Sequence, residues 1–108
     1  MDGLWTWVIP IFRVGGTVTI RDGKAVGGDG CYYYVGTAEI DGEQLVLEMD
    51  AKLFNPDGLL GNVWGDNSPG FHITVEAQKD GDTWVGQARR DWGDAAVTAT
   101  FTRRADAP

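Results

Sequence analysis

The chain has 108 residues, of which 43% are hydrophobic and 23% are charged, as in a globular protein rather than a disordered one. A chain of this length makes one domain, which we predict to span residues 1–108. The formal net charge of −7 argues against direct binding of nucleic acid, which requires Lys and Arg to neutralise phosphates. A basic protein is compatible with this charge as a partner.

A single cysteine, Cys31, excludes an internal disulfide, and small domains of oxidising compartments usually have several cysteines. Residues 1–5 show neither the basic region nor the apolar run of a signal peptide. No stretch approaches the roughly 18 apolar residues of a membrane-spanning helix. These features predict a cytoplasmic protein without a membrane span.

Residues 3–9 predict a first strand that ends at Pro10, because proline removes a ladder donor. Residues 14–20 alternate in polarity, and a turn at Asp22-Gly23 returns the chain along 24–28. The remaining predicted strands are 32–40, 43–52, 71–78, 83–90 and 95–103. Alternation stops between residues 55 and 70, which we predict to form a long loop.

Asp-Gly between alternating runs is a strong signal for a type I′ hairpin turn, and it recurs at Asp41-Gly42 and Asp80-Gly81. With these pairs at the centres of their turns, the predicted register pairs Ala38 with Leu45, Gly36 with Leu47, Tyr34 with Met49 and Ala77 with Trp84. Because side chains alternate between faces, Tyr32 and Tyr34 are then turned inward and Tyr33 toward water.

Eight antiparallel strands in hairpin order predict an all-β protein, either an up-and-down barrel or a flattened sandwich. Many residues predicted to face inward are small. They are Gly16, Ala25, Gly27, Gly36, Ala38, Ala77, Gly86, Ala88 and Ala99. An eight-stranded barrel is just wide enough either to fill itself with side chains or to hold one small ligand.

Residue types that support catalysis or metal binding are few. Ser68 and His72 are the only residues of their kinds, but Ser68 lies in a loop without the strained elbow of a serine hydrolase. One His and one Cys cannot form a zinc site. The run Gly27-Gly28-Asp29-Gly30 precedes no helix and is predicted to be a turn rather than a phosphate loop. We therefore predict no catalytic residue, no metal and no cofactor.

An enzyme with paired carboxylates would need at least one acidic side chain turned inward. The predicted register supplies none, since Glu39, Glu48 and Glu76 all fall on the polar face. In the long loop, Trp64 lies near Leu59 and Leu60. It is either a lid over the mouth of the barrel or a dimer contact, and folding back onto its own barrel is the preferred interpretation.

Several short motifs, in order and over nearly the whole chain, resemble the GrlR-like family. These are Asp2-Gly3, Asp22-Gly23-Lys24, Gly27-Gly28-Asp29, an aromatic residue before Gly36, and Phe54-Asn55-Pro56. The family is named for a negative regulator of type III secretion genes. The resemblance implies a calycin-like barrel, often dimeric, that acts by binding a transcriptional activator and has room for an apolar or lipid ligand. It also implies an acidic contact segment, and the matching hairpin reads Glu39-Ile40-Asp41-Gly42-Glu43.

Our first hypothesis is a non-catalytic regulatory protein that binds a partner protein. The residues predicted for that contact are Asp41, Glu43, Leu59, Leu60 and Trp64. The alternative is a small lipocalin-like carrier or sensor of an apolar ligand or lipid. Its predicted cavity is bounded by Tyr34, Leu47, Met49, Phe71, Val75 and Trp84, under the 55–70 loop. An enzyme acting on a small molecule is the third hypothesis.

Overall fold

The computed structural model describes residues 1–57, 62, 64–92 and 95–108. Its strands are β1 (Gly3–Ile9), β2 (Val14–Arg21), β3 (Lys24–Gly28), β4 (Tyr32–Asp41), β5 (Gln44–Leu53), β6 (Gly70–Asp80), β7 (Thr83–Arg90) and β8 (Val97–Ala105). Each strand pairs antiparallel with the next, and β8 pairs with β1, so that the sheet closes into a barrel. The predicted eight-stranded antiparallel barrel is confirmed. In the described part of the chain, no helix is long and apolar enough to cross a membrane.

The faces of the strands follow the predicted alternation. Tyr32 and Tyr34 are buried in the core while Tyr33 is exposed. In β8, Ala99 and Phe101 are buried in the same way. The odd or even position of a residue along its strand determines whether its side chain enters the core, because successive residues of a strand point to opposite faces.

The hairpin turns differ among themselves. Asp22 and Gly23 have φ values of 51° and 77°, and the flanking Arg21 and Lys24 are paired, as expected for the predicted type I′ turn. In the other two hairpins the closing pairs are Asp41 with Gln44 and Asp80 with Thr83. Gly42 and Gly81, each with φ of 62°, therefore occupy the first central position, as in a type II′ turn.

The predicted register of these two hairpins is wrong by two residues. Ala38 pairs with Leu47, Gly36 with Met49, Tyr34 with Ala51 and Ala77 with Gly86. A slip of two residues leaves every side chain on its own face, so alternation cannot reveal it. The position of glycine in the turn decides between the two registers.

Small residues in the wall allow neighbouring strands to approach closely. A Cβ atom on Gly36 would overlap the carbonyl oxygen of Glu48, and one on Gly86 would lie 2.6 Å from Ala77 Cβ. Glycine at such positions permits the sharp curvature that closes a barrel. The inward glycines Gly16, Gly27, Gly36 and Gly86 therefore leave no open space beside the neighbouring strand, whereas two of the small inward alanines line an opening in the core. These two alanines are Ala88 and Ala99.

The two ends of the barrel have different connections. At one end, here called the mouth end, are residues 10–13, 29–31, 54–57, 62, 64–69, 91–92 and 95–96. At the other, the turn end, are the hairpin turns at 22–23, 42–43 and 81–82 together with both termini. This arrangement follows from the up-and-down order, in which alternate connections lie at opposite ends.

Candidate functional site

The mouth-end half of the barrel contains a cavity of about 60 Å³. Of the residues predicted to bind a ligand, Tyr34, Met49, Phe71 and Val75 line it. The lining is apolar except for Asp29, Tyr32, Tyr34 and Asn62. The structure therefore brings together four of the predicted residues and adds polar groups that we did not predict.

Leu47 and Trp84, the other two predicted residues, are not among those that line the cavity. Both are buried, and the observed register places them nearer the turn end. Leu47 lies between Ala38 and Val75, and Trp84 lies opposite Lys79 and Phe101. Their side chains belong to the core of the turn-end half.

Asp29 is an inward-facing carboxylate at the edge of the cavity. Its Oδ1 accepts the backbone N–H groups of Cys31 and Tyr32, both at 2.8 Å, and its Oδ2 accepts the Tyr34 hydroxyl at 2.5 Å. The turn after β3 is thus stabilised by an Asx-type contact; it begins at Asp29 rather than at Gly27 as predicted, because Gly27 and Gly28 belong to the strand. The expectation that no carboxylate turns inward is wrong, because a loop residue does not obey strand alternation.

The two tyrosines of the cavity are held in the neutral form. Burial is the main cause that raises the pKa of Tyr34 far above its ordinary value, and the hydrogen bond to Asp29 acts in the same direction. Burial also raises the pKa of Tyr32. Both hydroxyls are therefore protonated at any physiological pH and act as hydrogen-bonding groups.

Asn62 fastens part of the long connection to the barrel. Its Nδ2 donates to Asp66 Oδ1 at 2.6 Å and to the Tyr32 hydroxyl at 3.3 Å. Its Oδ1 accepts the backbone N–H of Trp64 at 2.8 Å, and the Tyr32 hydroxyl donates to the Ser68 carbonyl at 2.8 Å. This polar network covers the side of the cavity nearest the mouth.

Arg90, only 6% exposed, completes the network from the end of β7. Its two terminal nitrogens donate to Asp66 Oδ1 at 3.1 Å and Oδ2 at 2.7 Å, a bidentate geometry. The guanidinium carbon lies 4.3 Å from the ring centroid of Trp92 and 5.1 Å from that of Trp64, within cation–π range. Arg90, followed by Ser68 and Asn62, holds the pKa of Asp66 well below its usual range.

Trp64 lies over its own barrel, which confirms the preferred interpretation of this residue. Its ring packs edge-on against Phe71 at 5.7 Å, and its indole N–H donates to the carbonyl of Ala95 at 3.0 Å. It also lines the cavity. Leu59 and Leu60 lie outside the described residues, and a contact of Trp64 with a partner stays a prediction.

Ser68 and His72 have separate partners. The Ser68 hydroxyl donates to Asp66 Oδ1 at 2.7 Å, whereas His72 Nδ1 lies 3.1 Å from Asp50 Oδ1 on the outer face. The structure therefore does not assemble a Ser-His pair. Among the residues that the structure describes, no group of three or more His, Cys, Asp or Glu side chains is placed to hold a metal ion.

The acidic residues of the outer surface lie apart from the cavity. Asp41 and Glu43 are exposed in a hairpin turn at the turn end. Glu39, Glu48 and Glu76 are exposed as predicted, and Glu76 pairs with Arg89 at 2.6 Å. The molecule thus offers two distinct regions, a cavity at the mouth end and an acidic surface at the turn end.

No protein-family model and no curated protein matches the chain.

Proposed function

We propose that the protein is a non-catalytic binding protein that holds a small apolar ligand in the mouth-end cavity. The observation that carries this proposal is a cavity of about 60 Å³ with an almost wholly apolar lining. Protein cores are close-packed, and voids larger than a water molecule are few. Water is a poor occupant of an apolar space because it needs two to four polar partners.

The size of the cavity limits the ligand. An engineered apolar cavity of about 150 Å³ takes benzene or xenon, and the present one has less than half that volume. A guest that enters without displacing side chains is therefore smaller than benzene. A larger guest must displace Met49 or Trp64, and methionine is among the most adaptable core side chains.

The two acidic side chains near the cavity already accept hydrogen bonds within the protein, which supports binding rather than catalysis. Asp29 accepts hydrogen bonds from two backbone N–H groups and from Tyr34. Asp66 accepts bidentate hydrogen bonds from Arg90. Each carboxylate therefore has a structural role, and an enzyme remains the weaker hypothesis.

Xenon is a suitable probe, because it enters small apolar cavities without a specific polar contact. We expect crystals under xenon pressure to show one atom among Met49, Phe71 and Val75. Ala88→Leu extends a side chain into the cavity and should abolish that site. Ala77→Leu, at a buried alanine outside the lining, is the matched control. Absence of xenon from the unchanged protein would contradict the proposal.

A second candidate is a regulator that binds a basic protein through the turn end. Asp41 and Glu43 are exposed there, and Asp22, Asp80 and Asp82 are exposed in the neighbouring turns. Opposite charges at an interface raise the association rate and select partners. By the resemblance to the GrlR-like family, the partner would be a transcriptional activator, and a homodimer would be the working form.

The double charge reversal Asp41→Lys with Glu43→Lys tests this second candidate. We expect it to abolish capture of a basic partner protein from the source cell. Asp91→Lys, an exposed reversal at the mouth end, is the control and should leave capture unchanged. Equal capture by all three proteins would remove the basis of this candidate.

A further inference from the structure

We infer that the cavity selects its ligand by hydrogen-bond chemistry, and that it takes a small apolar molecule with one uncharged O–H or N–H donor and rejects anions. This inference rests on the proposed function and names the chemical class of the ligand. It follows from which polar groups at the cavity are already engaged.

Most polar groups at the cavity are engaged within the protein. The Tyr32 hydroxyl donates to the Ser68 carbonyl and accepts from Asn62. Asn62 uses its amide nitrogen and its amide oxygen in the same network. Among the described residues, no buried side-chain nitrogen or oxygen lacks a partner. A ligand therefore finds no unsatisfied donor in this network.

The Tyr34 hydroxyl, unlike the groups of this network, can still accept a hydrogen bond from a ligand. A phenol has one proton to donate and oxygen lone pairs that accept. Tyr34 gives its proton to Asp29 Oδ2 at 2.5 Å and lines the cavity, so its oxygen can still accept a hydrogen bond. Asp29 accepts hydrogen bonds from Cys31, Tyr32 and Tyr34 and carries negative charge at the same edge of the cavity. The polar edge at Tyr34 and Asp29 thus offers acceptors, which a donor group on the ligand would match.

The cavity disfavours a negatively charged ligand. The ligand's carboxylate would lie near the Asp29 carboxylate, and like charges at short range repel each other. An apolar lining also gives a buried charge no compensation for lost hydration. The same geometry that favours a hydroxyl therefore excludes a free fatty acid bound head-first.

The test compares three small probes of similar size: 1-propanol, its isomer methoxyethane, which has no donor, and propanoate. Binding is followed by the shift of the Met49 methyl NMR signal, since Met49 lines the cavity. We expect 1-propanol to bind about fivefold more tightly than methoxyethane, equivalent to one ordinary hydrogen bond. Propanoate should cause no saturable shift.

Tyr34→Phe keeps the ring and removes the acceptor oxygen, so it should abolish the preference for 1-propanol over methoxyethane. Xenon binding by this variant shows that the cavity persists. If methoxyethane or propanoate binds as tightly as 1-propanol, the inference is overturned while the cavity remains a ligand site. If none of the three probes shifts Met49 while xenon still binds, the inference fails and the proposed function stands. If xenon is absent as well, the proposed function itself fails, and the inference with it.

Discussion

The mouth end and the turn end of this barrel use the same eight strands for different purposes. At the turn end, Leu45, Leu47 and Trp84 are buried, and the turns carry exposed acidic residues. At the mouth end, the core opens into a cavity, and Ile11 and Trp92 expose 80% and 53% of their surface. The difference suggests a division between a half that stabilises the fold and a half that is available for a ligand.

Long-range polar contacts compensate for the looser packing of the mouth end. Arg90 and Asp66 are 24 positions apart in the chain, and Asn62 and Tyr32 are 30 apart. Such contacts hold Asn62 and residues 64–69 of the long connection over the cavity without filling it. Close approach of neighbouring strands is common to both halves, since it occurs at Gly16 toward the mouth end as well as at Gly36 and Gly86.

The largest effect is expected where the strands are closest. Gly36→Ala places a Cβ atom against the backbone of Glu48 and Met49, which cannot move without breaking the β4–β5 ladder. We expect a loss of at least about 3 kcal/mol in the free energy of unfolding, since overpacking against rigid backbone is costly. Gly30→Ala, where the new methyl meets nothing within 4 Å, is the control. Chemical denaturation measures both, and equal losses would show that Gly36 is not constrained.

The next largest effect concerns the polar network at the mouth end. Asp66→Asn removes the charge of the carboxylate to which the buried Arg90 donates two hydrogen bonds. We expect this to cost about 2–3 kcal/mol, as for hydrogen bonds to a charged group. The matched control is Glu76→Gln, which breaks the ion pair of the adjacent Arg89. Both side chains of that pair are at least half exposed, so its loss should cost less than about 1 kcal/mol. Similar losses for the two variants would contradict the structural role of Asp66.

The lowered pKa of Asp66 predicts that the stability of the folded protein depends on pH. Arg90 lowers the pKa of Asp66 in the folded protein, so the folded state favours the ionised form more than the unfolded chain does. The resulting stabilisation is fully present above the ordinary Asp pKa of about 3.9 and is lost as pH falls toward the lowered value. We expect the stability difference between the unchanged protein and Asp66→Asn to shrink between about pH 5 and pH 2. A constant difference would contradict this.

The barrel was predictable from the sequence because its evidence is local. Alternation along each strand identified the inward face, and the Asp-Gly pairs located the hairpins. Alternation cannot distinguish registers that differ by two residues, as the pairing of Ala38 with Leu47 shows. The choice depends on the turn conformation at Gly42, which the dipeptide alone does not determine.

The cavity was predicted only in part for a related reason. Tyr34 and Met49 were identified because strand parity places them inside. Asp29 and Asn62 lie in loops, where no periodicity indicates direction, and Arg90 ends a strand as one of a pair of arginines. Arg90 and Asn62 have partners far away in the chain, so no local pattern points to them. The partners of Asp29 are close in sequence, but alternation does not fix the direction of a loop side chain.

A moderate effect is expected from filling the two halves of the core. Ala77→Leu adds bulk beside Gly86, in the closely packed half, and should cost about 1–3 kcal/mol. Ala88→Leu adds the same bulk toward the cavity and should cost clearly less. Thermal or chemical unfolding of the two variants measures the comparison. A greater loss for Ala88→Leu would mean that the cavity wall does not accept added volume.

The smallest effect is expected at the acidic surface of the turn end. Asp41 and Glu43 are exposed, and substitutions at such positions usually change the free energy of unfolding by less than about 0.5 kcal/mol. The double change to lysine also reduces the net negative charge, which lessens self-repulsion. We therefore expect unfolding by denaturant to be nearly unchanged. A loss above about 1 kcal/mol would show that these turns stabilise the fold, and an altered capture of a partner could not then be assigned to the acidic surface.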